Sequence, residues 1–144
     1  MKAHDFISQL QREHIVAAIR EAEKKTSGEI RVFITRKKVS DPLAAAQEHF
    51  VTLGMAKTQE RNGVLIFVAP RDHRFAVLGD TAVHARCGPE FWATLTAEMT
   101  GHFRRSDFTQ GIVHAVAKAG DLLARHFPRR ADDQNELPDE IGED

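Results

Sequence analysis

Cysteine is almost missing from this chain: Cys87 stands alone among 144 residues. One thiol closes no internal disulfide, and a thiolate metal knot needs two at the least. Long apolar runs are missing as well. No stretch of 18 apolar residues occurs, which excludes a transmembrane helix. Residues 1–14 are too polar to hold the core of a signal peptide. The expectation is a cytoplasmic protein with no membrane span. The eight histidines include no HExxH or other paired spacing suited to zinc, and there is no glycine-rich phosphate loop or GxSxG elbow. Basic residues are scattered without aromatic side chains between them, so nucleic-acid binding is not expected.

What is present suits one globular domain. Hydrophobic residues make up 42% and charged residues 28%, and a chain of this length buries roughly two-thirds of its unfolded surface. The net charge of −1 hides an asymmetry. Asp132, Asp133, Glu136, Asp139, Glu140, Glu143 and Asp144 crowd the end, so 14 of the 21 acids face 20 Lys and Arg in residues 1–131, a charge of +6. The chain therefore divides into an α/β domain over residues 1–128 and an acidic tail over 129–144. Leu137 and Ile141 are the tail's apolar anchors. They predict an extended segment around 135–141 that docks on its own domain or on a neighbouring copy. The expected state is a monomer or weak homo-oligomer.

Residues 5–25 have a helical period through Ile7, Leu10, Ile15, Ile19 and Ala22, with Asp5 as a candidate N-cap. Ser27-Gly28 should stop this helix, with Gly28 able to take a positive φ. Glu29 to Thr35 is β-branched and aromatic and predicts a strand. Asp41-Pro42 opens a second helix that runs to Gly54. Gly63 to Ala69 is an unbroken apolar run, which predicts a central strand buried on both faces. A turn over 70–73 leads into Phe75–Leu78, the return arm of a hairpin. Two helices follow, over roughly 90–103 and 107–127. The order α-β-α-β-β-α-α predicts a three-layer α/β/α sandwich with a small mixed sheet. Its first two strands are parallel and the third is antiparallel.

Strand directions then gather polar residues. Glu29 starts the first strand, Glu60 and Asn62 precede the second, and Asp80 follows the third, so all four belong to one end of the sheet. Asp107 joins them if the last two helices run along the sheet. Several carboxylates with an amide oxygen suit a hard cation, Ca²⁺ or Mg²⁺. The same residues suit solvated loops and helix caps. Cys87, three residues after His84, reads as a nucleophile or as a small apolar residue beside a turn.

Three motifs carry a resemblance. Ser27-Gly28-Glu29-Ile30 comes first. Arg61-Asn62-Gly63-Val64-Leu65-Ile66-Phe67-Val68-Ala69 comes second, with the strand ending at Gly79 after it. Phe103-Arg104-Arg105-Ser106-Asp107-Phe108-Thr109-Gln110-Gly111 comes third. In this order they resemble the motifs of the TPM domain family, which includes thylakoid-lumen proteins linked to photosystem II repair. The tail is similar to that of a compact bacterial cytoplasmic subgroup. Arg61 stands where the family motif usually has an acid. The resemblance implies an α/β/α sandwich, divalent-metal binding in some members, and acid phosphatase activity in a plant member. Two functions follow as expectations. One is a non-enzymatic binding module for a divalent cation and a protein partner. The other is a metal-assisted acid phosphatase acting on phosphomonoesters, with Asp80 or Asp107 working beside Arg61, Arg104 and Arg105.

Overall fold

β-branched and aromatic side chains dominate 29–34 and 63–69, and both segments are strands. The computed structural model describes Phe6 and residues 10–58, 61–129 and 141–143. Strand β1 (Glu29–Ile34) lies parallel to β2 (Gly63–Ala69), in register from Glu29 opposite Gly63 to Ile34 opposite Val68. Strand β3 (Arg74–Gly79) returns antiparallel to β2, from Ala69 opposite Arg74 to Val64 opposite Gly79. The sheet order is β3-β2-β1-β4, so the apolar run of β2 is interior as its composition predicts.

Every residue of β2 is buried, and its side chains alternate between two cores. Val64, Ile66 and Val68 enter the larger one, whereas Leu65, Phe67 and Ala69 enter the smaller. Helix α1 (Arg12–Glu23) supplies Ile15, Ile19 and Ala22 to the larger core. Helices α4 (Pro89–Arg104) and α5 (Phe108–His126) add Leu95, Met99, Ile112 and Leu123. Helix α2 (Pro42–Thr52) covers the other face with Ala46 and Phe50. The Asp41 carboxylate accepts from the amides of Leu43 and Ala44 at 3.1 and 3.2 Å, and Pro42 takes the first helical position. These two residues open α2 as the sequence predicts. Gly54, with φ 77°, follows its end.

Four features depart from the sequence reading. The helix expected over 5–25 is interrupted at Leu10 and Gln11. The Gln11 amide donates to Thr109 Oγ1 at 3.1 Å, and α1 starts at Arg12. Asp5 lies outside the described residues. Gly28 does not have positive φ; its reason is close packing, described below. Helix α3 (Thr81–Arg86) fills the segment between β3 and Pro89, where no element is expected, and Val83 is its buried residue. Finally, β4 (Gly142–Glu143) pairs parallel to Phe33 and Ile34 at the sheet edge.

Of the predicted docking segment, Ile141 belongs to the described residues and Leu137 does not. Ile141 is buried in the larger core. The Glu143 carboxylate pairs with Arg12 and, at 3.4 Å, with Arg36. Both arginines are about half exposed, so these pairs contribute little and the apolar anchor decides the docking. An Ile141→Ala variant should lose about 2 kcal/mol in urea unfolding, the low end for such a truncation. A loss below about 0.5 kcal/mol would show that the tail strand adds nothing to stability.

Candidate functional site

At the amino ends of β1 and β2 the chain enters the sheet twice and leaves it once. The Thr26-Ser27-Gly28 turn delivers Glu29. The Thr26 hydroxyl donates to the Phe127 carbonyl and accepts from the Gly28 amide, and the Ser27 amide also donates to Phe127 O, at 3.0 Å. The end of α5 thus clamps this turn. A Cβ at Gly28 would lie 2.9 Å from Leu123 Cδ1 and 3.2 Å from the Asn62 carbonyl oxygen. Glycine is needed there because two neighbours press on it, and no unusual φ is involved.

Asn62 precedes β2, and its side-chain amide donates to Ser27 Oγ at 3.2 Å. Opposite it, the Asp80 amide donates to the Gly63 carbonyl at 2.9 Å as β3 ends. Glu29, Asn62 and Asp80 therefore share one end of the sheet, as strand direction predicts, and are 2%, 1% and 7% exposed. Carboxylates are rarely buried to this extent unless something compensates their lost hydration. Asp80 Oδ1 accepts from the Thr81 amide at 2.7 Å and so caps α3. Its Oδ2 is buried and has no hydrogen-bond partner among the described residues. Thr58 Oγ1, in the turn leading toward Asn62, is likewise buried without a partner among the described residues.

Glu60 lies outside the described residues. Arg61 is exposed with φ 53°, and its carbonyl accepts from the Ala82 amide at 3.2 Å, which ties this turn to α3. Asp107 does not join the group. It sits just before α5, whereas the far end of that 19-residue helix packs at Gly28. At about 1.5 Å per residue the two ends are nearly 30 Å apart. Asp107 instead faces His102 Nδ1 at 3.8 Å, half exposed. Helices α4 and α5 do run along the sheet, but their connecting turn is at its other end. Sequence reasoning passed over Thr58, which is buried, and assigned Ser27, which accepts from Asn62, to turn chemistry alone; neither residue type signals such a place.

Among the described residues no three His, Cys, Asp or Glu side chains form a group able to hold a metal ion. The oxygens gathered here are a mixed set: two carboxylates, the Asn62 amide and neighbouring hydroxyls. Nucleophilic chemistry has no support at Cys87. That thiol is buried, and loss of hydration pushes its pKa up, away from the thiolate.

Fold and site together define a small α/β module: a mixed sheet between two helical layers, with carboxylates buried at one end of its parallel strands. The chain belongs to the TPM domain family, whose model matches residues 1–122. It is also similar to a solved structure, the NMR structure of the BA42 protein from the psychrophilic bacterium Bizionia argentinensis. That similarity reaches 40% sequence identity and a TM-score of 0.86, covering 94% of this chain and 96% of that one. No curated protein matches the chain. No helix among the described residues is long and apolar enough to cross a membrane.

Proposed function

We propose that this chain is a non-enzymatic binding module that takes a divalent cation, Ca²⁺ or Mg²⁺, at the amino ends of β1 and β2, and also engages a protein partner. The observation that carries the reading is Asp80 Oδ2, a carboxylate oxygen that is buried without a hydrogen-bond partner among the described residues. Such an atom loses its hydration with nothing in return, and a cation would supply the missing interaction. Glu29 and the Asn62 amide oxygen would complete the protein's share, with Thr58 Oγ1 as a further oxygen. Hard cations accept such mixed oxygen sets and fill the rest of their shell with water. The partner half of the reading rests on Leu43 and Val51. These exposed side chains are eight residues apart, hence on one face of α2.

The phosphatase reading has less support. Transferring a phosphoryl group requires positive charge beside the reacting oxygens, yet of the three arginines expected to assist, Arg104 and Arg105 belong with Asp107, a helix length from Asp80, and Arg61 alone is tied to the Asp80 end.

Titration of ¹⁵N-labelled protein with Ca²⁺ should move amide resonances in 26–29, at Thr58, and in 61–63 and 79–81. Asp80→Asn keeps a capping side chain but removes the charge. It should weaken the response at least about tenfold, because ligand charge sets the affinity of such sites. An unchanged response in that variant would refute the site.

A further inference from the structure

At the opposite end of the sheet, beyond the carboxyl end of β2, a pocket of about 490 Å³ opens between the β2–β3 turn and the α4–α5 turn. That volume is within the usual range for small-molecule sites. The crevice beyond the carboxyl ends of parallel strands is also where open α/β sheets commonly take ligands. From its lining chemistry, we propose that this pocket binds a small organic carboxylate with an aromatic body.

The apolar part is a connected set of rings. Phe6 lies 4.7 Å from Phe108 and 6.1 Å from Phe103, and Phe103 lies 5.3 Å from Phe75, centroid to centroid. Phe75, Phe103 and Phe108 are only partly buried, so their faces border the pocket rather than filling a closed core. Aromatic rings favour offset or edge contacts with a further ring, which selects a flat body.

The charged part has one sign. Arg74 and Arg104 line the pocket, and among the described residues no Asp or Glu does. The acids of the two turns, Asp72 and Asp107, are committed elsewhere. Asp72 Oδ2 accepts from the Val39 amide at 2.5 Å, and Asp107 faces His102. Arg74 spends one nitrogen on the Ser40 carbonyl at 3.0 Å. Arg104 is exposed and has no carboxylate partner among the described residues. A guanidinium presents a planar fork of donors that matches a carboxylate.

The backbone points to the same place. Among the described residues, Arg61, His73 and Ser106 are the non-glycine residues with positive φ. Two of them, His73 and Ser106, line this pocket, one in each of its turns. Left-handed conformations at such residues cost energy and cluster at ligand sites.

The test is an NMR titration of the full chain with 4-phenylbutyrate and, separately, with its neutral counterpart 4-phenylbutan-1-ol. Saturable shifts confined to Phe6, 68–75 and 100–108 are expected, with the alcohol binding about tenfold more weakly for want of a charge-assisted bond. Arg104→Gln, at an exposed position, should bring the carboxylate to the alcohol's affinity and leave the alcohol unchanged. Should Arg74→Gln do so instead, the carboxylate is held there and the proposal stands. Absence of saturable shifts, shifts outside Phe6 and the two turns, equal affinity of the two probes, or no effect from either arginine variant would each overturn it. The cation site lies at the other sheet end and reports through other amides, so the two readings fail separately.

Discussion

Phe67→Ala should destabilise the protein by about 3–5 kcal/mol, the usual cost of emptying a buried phenylalanine site. Phe67 is fully buried in the middle of β2. Its ring lies parallel to that of Phe33, 6.2 Å away, and 5.2 Å from the His49 imidazole of α2. This is the smaller core, with eight buried side chains among the described residues. Few neighbours are there to relax into the cavity, and α2 with the short 3-10 turn Met55–Lys57 supplies the helical cover on that face. A loss of this size is about a fifth or more of the total stability typical of such a domain. Urea unfolding should show a lower midpoint with an unchanged slope. Ile66→Val, on the other face of the same strand, should cost only about 0.5–1.5 kcal/mol. Amide exchange should quicken in α2 more than in α5, because the cavity opens beneath α2. A Phe67→Ala loss below about 1 kcal/mol would mean that α2 rests on the sheet without depending on this ring.

The same ring shows which parts of the structure the sequence makes legible. An uninterrupted apolar strand has few places to go, so the central position of β2 follows from composition. The Asp41-Pro42 opening of α2 is equally local: a carboxylate, two free amides and a proline that loses no bond. Grouping Glu29, Asn62 and Asp80 needed only strand direction, which alternation and turn lengths supply. Placing Asp107 needed to know which end of the sheet the α4–α5 turn occupies, and helical periodicity is indifferent to that. The need for glycine at position 28 was hidden for a related reason. Its neighbour Leu123 is remote in sequence, and only local φ chemistry is visible there. The aromatic pocket draws Phe6, Phe75, Phe103 and Phe108 from separate segments, each ordinary by itself. β4 escapes notice because two residues, one of them glycine, make no strand signal.

Gly120 carries the second large effect, and its outcome tests whether α1 and α5 can adjust to one another. An added Cβ would lie 2.6 Å from Ala22 Cβ and 3.3 Å from Ala22 Cα. The obstruction includes the α1 backbone, so no flexible side chain can swing aside. Alanine gains about 1 kcal/mol over glycine within a helix, whereas overpacking costs about 1–3 kcal/mol. Gly120→Ala should therefore lose up to about 2 kcal/mol in spite of its better helix propensity. Ala22→Gly alone should also destabilise, by about 1 kcal/mol from propensity. Together the two should cost less than their sum, because the second change removes the methyl that the first one strikes. A double-mutant cycle should give a coupling of about 1 kcal/mol or more. Gly120→Ala acting as a simple stabiliser, with additive behaviour in the double variant, would show that the two helices part freely. A further reading ties this contact to the buried carboxylates. Leu123, three residues beyond Gly120, packs on Gly28, and the preceding Ser27 hydroxyl accepts from the Asn62 amide. If α5 is rigid over that turn, Gly120→Ala should shift the Asn62 side-chain amide resonances, and Ala22→Gly in the same chain should return them.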